Sequence, residues 1–487
     1  MASIVLINPP ISLEERYGPL SGAGSTLPSI GLLGLASVVR KAGHKVKIVE
    51  AASSNLSYRK SLSLILESQP DIVGFTAVTS SIYKAARLSQ MIKENRPEIK
   101  VIIGGPHITA APEETMSKFP QFDIAAIGEG EDTLKEFAAS LENNGRLKDI
   151  PGILFRENNH YIKTEQRKLI KNLDNLPFPA WDLIENFPRG YKPAAFNCKR
   201  LPAAYLISAR GCPHLCIFCD TSVFSRQYRA FSAEYIIEMI KVLKTDYGVR
   251  EILFEDDTFV IFKKRLIQLC ETLIKEKIDI TWSCNGRANA VKPDILRLMK
   301  KAGCWQIAYG IESGDPKILE FSRKRIKIDQ MRQALEWTHN EGILTKGFFI
   351  LGFPLETEDT LKRTIAFAKS SYLDDISVNQ MTPFPGSEMY RVGEKYGSIN
   401  KNWEKMNLLD VVFVPHGLTK EKLDMFQRKL LKEFYLRPGI IKTYIIRLLK
   451  NPGNLKGLLS GFKAFFQTVF SFRLQTHKTS WTKKDCS

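Results

Sequence analysis

Three cysteines fall within eight residues of one stretch, Cys212-Pro213-His214-Leu215-Cys216-Ile217-Phe218-Cys219, spaced C-x₃-C-x₂-C. No fourth cysteine lies near enough in sequence to complete a local set. A disulfide would leave one thiol over, whereas three soft thiolates in a single loop suit an iron–sulfur cluster or a zinc ion. A cubane cluster held by three ligands keeps one iron open to a small molecule. The remaining cysteines are scattered: Cys270 falls in a helical run and Cys304 at the start of a strand, both as small core residues. Cys284 lies near a strand end, Cys198 in a connector and Cys486 in the tail. Scattered thiols are no secreted disulfide framework. Met1-Ala2-Ser3 runs straight into a strand-like stretch with no basic or cleavable apolar segment, so a reducing, cytoplasmic setting is expected.

The cysteine loop follows a strand-like run at 205–209, and five more short apolar runs succeed it at 251–255, 280–285, 306–310, 345–351 and 376–381. Helical spacing fills the gaps at 233–245, 263–275, 292–301, 329–340 and 358–369. Six consecutive β-α units predict a barrel or partial barrel, with its site at the carboxyl ends of the strands. Those ends carry Glu255-Asp256-Asp257, Asn285-Gly286-Arg287 and Glu312-Ser313-Gly314. Carboxylates such as Glu255 and Glu312 can grip an amine or ribose hydroxyls, and an arginine such as Arg287 can hold a carboxylate at two points. Glu358-Asp359 and Gly386-Ser387 read as ordinary caps and turns.

Before the barrel, apolar runs at 4–7, 46–49, 72–75, 101–103 and 124–127 alternate with helical stretches at 28–42, 62–67, 82–94 and 133–143. That order predicts a doubly wound parallel sheet. Ligands of such sheets lie beyond the strands' carboxyl ends. Here these read Asn8-Pro9-Pro10, Thr79-Ser80-Ser81, Gly104-Gly105-Pro106-His107 and Gly128-Glu129-Gly130-Glu131, small or hydroxylic residues that let a large ligand approach the backbone. His107 reads as a local hydrogen-bonding group, and no D-x-H-x-x-G occurs. A hairpin around Glu157-Asn158-Asn159 and a Pro-rich connector at 176–181 separate the two parts.

The composition, 44% hydrophobic and 25% charged over 487 residues, is that of a globular protein, but the net charge of +18 is large. Half of it lies between Lys420 and Gln475, where 12 Lys/Arg face 3 Asp/Glu. Leu458, Leu459, Phe462, Phe466, Val469 and Phe470 share one helical face there, after the apolar pairs Ile440-Ile441, Tyr444-Ile445 and Leu448-Leu449. Neither segment reaches the roughly 20 apolar residues of a spanning helix. The expectation is a helix at an anionic membrane surface. No recognition module for nucleic acid is present, and no nucleic-acid partner is expected.

The cysteine loop with Phe218 before its last cysteine, together with Arg210-Gly211-Cys212-Pro213, Phe254-Glu255-Asp256-Asp257, Gly310-Ile311-Glu312-Ser313-Gly314 and the Gly104–His107 and Gly128–Glu131 turns, resembles the radical S-adenosylmethionine (SAM) enzymes with an N-terminal cobalamin (B12)-binding domain. The resemblance runs over about residues 1–400. Beside the linker with a hairpin at 151–198 and the helical basic region at 401–487 that the residue pattern gives, it implies a Rossmann-like cobalamin-binding domain at 1–150 and a partial (β/α)₆ radical SAM barrel at 199–400. It further implies that Cys212, Cys216 and Cys219 ligate a [4Fe–4S] cluster, and that Phe218, Glu255, Arg287, Glu312 and Ser313 contact SAM. Thr79, Ser80, Gly104, Gly105, Gly128, Glu129 and Gly130 would meet cobalamin. Reductive cleavage of SAM would give a 5′-deoxyadenosyl radical, used in methylation of an unactivated carbon of a lipid-like or other apolar substrate, or in cyclisation or rearrangement. An electron donor such as flavodoxin or ferredoxin, and a place at the inner membrane face, complete the expectation.

Overall fold

The computed structural model describes residues 1–143, 145–194 and 197–450. The N-terminal strand Ser3–Asn8 is buried along Ile4–Ile7 because it is sandwiched between Lys45–Glu50 and Ile72–Thr76, parallel to both. Lys100–Gly104 and Ile124–Ala126 extend the parallel sheet. The order therefore reverses at the first strand, and the crevice at such a switch point is where ligands of open α/β sheets bind. Helices Ile30–Lys41, Tyr58–Leu66, Ile82–Asn95 and Glu131–Glu142 cover the faces.

The hairpin expected within a linker is the edge of this sheet. Ile153–Glu157 pairs antiparallel with Ile124–Ala126, and His160–Lys163 closes it. Its turn residues Asn158 and Asn159 both have positive φ, the geometry whose twist matches a tight hairpin. Ile153, Leu154 and Phe155 are buried, and that apolar run is what draws the hairpin onto the sheet.

In the second part six parallel strands, Ala203–Leu206, Glu251–Phe254, Thr281–Gly286, Cys304–Glu312, Leu344–Leu351 and Asp375–Gln380, pair in chain order with no bond between first and last. The barrel is partial. On Leu344–Leu351 the odd residues Thr345, Gly347, Phe349 and Leu351 are buried under helices, while Leu344, Lys346, Phe348 and Ile350 face the lumen half-exposed. The floor is closed by the connector: the buried Glu251 carboxylate accepts from the Lys199 and Arg200 amides, Thr281 and the Trp305 indole.

Two features of the C-terminal region differ from a purely helical reading. Gly397–Ile399 and Phe413–Pro415 form an antiparallel ribbon, and the segment between them returns to the N-terminal domain, burying Trp403, Met406 and Val412 in its core. The helix Lys420–Tyr435 then buries Leu423, Phe426, Leu430 and Phe434 on the barrel, so its apolar face meets protein. In the next helix, Pro438–Lys450, Ile440 and Tyr444 are buried while Ile441, Ile445 and Ile446 are exposed. Among the described residues no helix is long and apolar enough to cross a membrane. The face from Leu458 to Phe470, and Cys486, lie outside the described residues.

Candidate functional site

The cysteine loop begins where the first barrel strand ends, and that end is held by a buried acid. Asp256 accepts from the Ser208 and Ala209 amides at 2.6 and 3.1 Å and from the Ser208 hydroxyl at 2.5 Å. Burial pushes its carboxyl up to about 6, against the hydrogen bonds and the Arg265 charge 3.8 Å away. Ala209–Arg210 then pairs antiparallel with Arg229–Ala230, so residues 211–228 form a loop closed at its base. Gly211 has φ 85°, and a Cβ there would lie 2.2 Å from the Gln227 carbonyl oxygen. Only glycine fits this turn.

Within the loop, the Cys219 amide donates to the Cys216 carbonyl at 3.3 Å, and the Ile217 amide to Ser322 at 3.2 Å. Arg287 reaches in from the third strand's end, its Nη1 3.9 Å from Cys216 Sγ and its Nη2 donating to the Lys324 carbonyl. Burial raises the Cys212 thiol, with Asp257 and Cys216 adding and Arg287 opposing. Phe218 lies edge-on to Phe353, ring centres 5.5 Å apart, in a cluster with Ile217, Ile318, Met381, Met389 and Phe413.

Glu312 occupies a bulge in the fourth strand with φ 64°. This strained conformation turns its buried carboxylate onto Lys324 Nζ at 2.5 Å. The neighbouring Ser313 points elsewhere. Its hydroxyl, a SAM contact by the resemblance, is fully buried and bonds the Thr364 hydroxyl and the Asp315 amide, because the chain turns outward beneath the helix Glu358–Ser370. Glu255 stands at the second strand's end, reached by solvent. The protein around it raises its carboxyl, opposed by Asn285 and the charge of Lys346.

On the N-terminal sheet, Gly105 has φ 101° and packs its Cα against the Ala77 carbonyl and the Thr76 hydroxyl, 2.9 Å from where a Cβ would fall. Gly128, with φ 85°, faces open space, and its amide donates to Thr109. Ser80 and Gly104 are half-buried at the same edge, and Val78 is exposed there. Thr79 is turned inward: its hydroxyl bonds His107 Nδ1 at 3.2 Å, and Thr115 bonds Nε2 at the same distance. Burial lowers His107 to about 4, so it is neutral, and its ring meets Trp403 at 4.4 Å. Glu129 stands in the same turn as Gly128, among the residues the resemblance places at cobalamin. Its carboxylate instead points at the barrel, where it takes Arg210 at 2.7 Å, Arg229 at 2.9 Å and the Ile170 amide at 2.8 Å. Gly130, beside it, caps the helix Glu131–Glu142.

The two edges meet. A Cβ at Gly386, after the sixth barrel strand, would lie 3.0 Å from the Ala110 Cβ of the N-terminal domain and against the Asp220 carboxylate that follows Cys219. Around the cysteine loop, the buried nitrogens His214 Nε2 and Arg287 Nε have no partner among the described residues. Arg229, Lys324 and Trp403 carry no local sequence signal, and Asp256, visible as a strand-end acid, carries none for its partner, since each acts through a residue at least 12 positions away.

Residues 206–368 match the Radical SAM superfamily and residues 20–138 the B12 binding domain. An uncharacterized methyltransferase of Pyrococcus horikoshii is 35% identical over 445 residues, spanning 90% of this chain and 93% of its own. The anaerobic magnesium-protoporphyrin IX monomethyl ester cyclase of Rubrivivax gelatinosus is 28% identical over 90% of this chain and 78% of its own. Among solved structures, the cobalamin-dependent SAM radical enzyme OxsB shares the fold at TM-score 0.73 and 17% identity, over 95% of this chain and 72% of that one. TsrM from Kitasatospora setae does so at 0.69 and 14%, over 90% and 92%. A sheet domain with its ligand edge turned onto a cysteine-bearing partial barrel, matched in both halves and along nearly the whole length of a relative, makes this chain a member of the radical SAM enzyme family that carries an N-terminal cobalamin-binding domain.

Proposed function

We propose that Cys212, Cys216 and Cys219 hold the [4Fe–4S] cluster of this radical SAM enzyme, and that it methylates an unactivated carbon of a substrate with an apolar body and a polar end. The observation that carries this reading is the close approach of the two edges at Ala110, Asp220 and Gly386, which supports a cluster at one edge working with a cobalamin at the other.

The residues fit the cofactors that the family uses. Cys212, Cys216 and Cys219 are free thiols on one loop beside the Arg287 guanidinium, a soft donor set suited to a cluster that gives each thiolate its own iron. When bound, the cluster with SAM supplies the radical and cobalamin the methyl carrier. The protein's own part is to bind and orient. Arg287 offers donors beside the loop and the unpaired His214 nitrogen a donor or an acceptor according to its tautomer, Glu312 and Glu255 offer acceptors for an amine and hydroxyls, and Phe218 offers an apolar face. Ser80, Gly104, Gly105, Gly128 and Gly130 form a low edge on which a broad ligand can lie, with Gly128 opening the space, Val78 exposed beside it and Thr79 turned inward to brace His107 beneath.

The substrate reading rests on the lumen. Phe348 and Ile350 lie above Lys346, which pairs with Asp375 at 3.0 Å and donates to Asn197 at 2.7 Å. An apolar body would rest on the upper pair and a polar end would reach the lower one. Exposed Ile441, Ile445 and Ile446 beside Lys442 support delivery of such a substrate from an anionic membrane surface. Oxidative ring closure without methyl transfer is the second reading, favoured by the likeness to the cyclase.

The test is anaerobic turnover of cluster-replete protein with SAM, cobalamin and flavodoxin or ferredoxin as electron donor, on extracts of a strain lacking the enzyme. S-adenosylhomocysteine alongside 5′-deoxyadenosine marks methylation. 5′-Deoxyadenosine alone, with a new product of unchanged carbon count, replaces it by the second reading. Neither product from protein with full iron and sulfide sinks both.

A further inference from the structure

The loop that carries the three cysteines begins after Arg210 and ends before Arg229, and both arginines bind one carboxylate of the other domain. Arg210 Nη1 lies 2.7 Å from Glu129 Oε1, and Arg229 Nη1 lies 3.0 and 2.9 Å from the two Glu129 oxygens. A second acid joins from the same turn: Arg210 Nη2 donates to Glu131 Oε1 at 2.5 Å. Arg229 also donates to the Ile170 carbonyl at 2.7 Å, and Ile170 returns its amide to Glu129. All four side chains are nearly inaccessible, from 2% exposed for Glu129 to 12% for Arg210.

Two carboxylates and two guanidinium groups balance in charge. Buried ion pairs of this kind contribute little net stability, because desolvation cancels most of the Coulomb gain, but they are highly specific in geometry. Arg210 bridges the two acids through separate nitrogens and Arg229 spans both Glu129 oxygens through one, and contacts from two directions on one carboxylate resist sliding. The position of this network gives that rigidity a purpose. On one side Glu129 lies between Gly128 and Gly130, the turn at the N-terminal sheet's ligand edge. On the other side Arg210 and Arg229 are paired across the two-stranded base of the cysteine loop, two residues before Cys212. One acid therefore holds both ends of the loop at a fixed place relative to the other domain's edge.

We propose that Arg210, Arg229, Glu129 and Glu131 are positioning residues that fix the cluster-bearing loop against the cobalamin-bearing edge, setting the spacing and orientation of the two cofactors. This rests on the assignment of the cluster to Cys212, Cys216 and Cys219. A methyl group and a substrate radical must meet within a narrow distance, so a fixed spacing matters more here than in an enzyme with one cofactor.

Both cofactors can be paramagnetic, the cluster when reduced and cobalamin as cob(II)alamin, so pulsed EPR on the frozen holoenzyme reads the distance between them directly. The wild type is expected to give one narrow distance distribution. Arg210→Gln should broaden or split it while iron, sulfide and cobalamin contents stay at wild-type levels, and Arg210→Lys, which keeps the charge and loses the fork, should fall between. Glu131→Gln removes one charge from the network, weakening the bond from Arg210 without deleting the acceptor, and leaves Glu129 in place, so it serves where Arg210→Gln does not accumulate folded, and a smaller broadening is expected. A merely structural network would lower Tm and leave the distribution unchanged, and that result in Arg210→Gln or Glu131→Gln would overturn the proposal. A reconstituted wild type with no cluster spectrum would instead overturn the cysteine assignment, and this inference with it.

Discussion

Cys212, Cys216 and Cys219 share a loop whose surroundings disfavour bare thiolates at Cys212, so replacing any one has a direct readout. Each Cys→Ala variant is expected to lose most of its iron and its visible absorption after anaerobic reconstitution, with Tm of the apoprotein nearly unchanged, because the loop is held at its base by Arg210 and Arg229. A second residue gives a pH signature. Glu356 follows the fifth barrel strand, wholly buried, and accepts the amides of Gly352 and Phe353. Burial, with Asp315 adding, pushes its carboxyl up to about 8 from the ordinary 4.5. The folded state thus holds this proton more tightly than the unfolded chain. Its contribution to stability is full below 4.5 and is lost as pH rises toward 8, by a few kcal/mol in order of magnitude. In Glu356→Gln the amide oxygen keeps the backbone bonds and nothing titrates. The difference between the denaturant midpoints at low and high pH across that window is expected to shrink in the variant; an unchanged difference would place the titration elsewhere.

At the scale of elements, the turn before Cys212 has the least tolerance. A methyl at Gly211 would overlap the Gln227 carbonyl and would sit on a positive φ. Gly211→Ala is expected to cost about 1–3 kcal/mol and, on the proposed cluster assignment, to lower iron retention, since the same turn starts the cysteine loop. Gly417, also at positive φ but with open space around it, is the control whose Ala variant should keep its iron. The helix Pro438–Lys450 makes a different prediction. Ile440 and Tyr444 anchor it on the barrel, and Ile441 and Ile445 face outward. The double variant Ile441→Ser with Ile445→Ser should therefore keep Tm and weaken sedimentation with anionic vesicles. Undiminished sedimentation would remove the membrane from the functional reading.

At the scale of the molecule, the two domains are not separable units. One continuous core runs from Leu32 and Phe137 of the N-terminal domain through Trp181 to Ile252 and Leu335 of the barrel. The segment after the barrel re-enters the N-terminal domain at Trp403, which meets His107, Tyr83 and the Lys118 ammonium at 4.4, 6.4 and 4.7 Å. Trp403→Ala is expected to destabilise by about 3–5 kcal/mol. The loss should appear as one cooperative calorimetric transition at lower temperature. Two resolved transitions would mean that the domains unfold independently and that Trp403 serves only its own segment.

Much of this arrangement was legible in the sequence, and the physical reason is that the legible parts are local. Apolar runs between helical stretches report a parallel sheet whatever lies far away in the chain, so five barrel strands and the first five strands of the N-terminal sheet fall close to where those runs lie, while the run at 205–209 splits into the end of the strand Ala203–Leu206 and the ribbon at Ala209–Arg210. C-x₃-C-x₂-C is local too, because a thiolate donor set on one loop needs no distant partner. What only the tertiary structure decided is the partner of each polar group. Glu129 reads as an edge residue between two glycines but its carboxylate goes to Arg210 and Arg229. Ser313 stands beside Glu312 in sequence, yet the bulge that sends Glu312 to Lys324 sends the serine to Thr364. Trp403 lies in a stretch without periodicity and is fixed by a cavity in a domain nearly 300 residues earlier, beside His107. A buried charge or ring must find its complement somewhere in the folded chain, and sequence spacing carries no record of where that complement is.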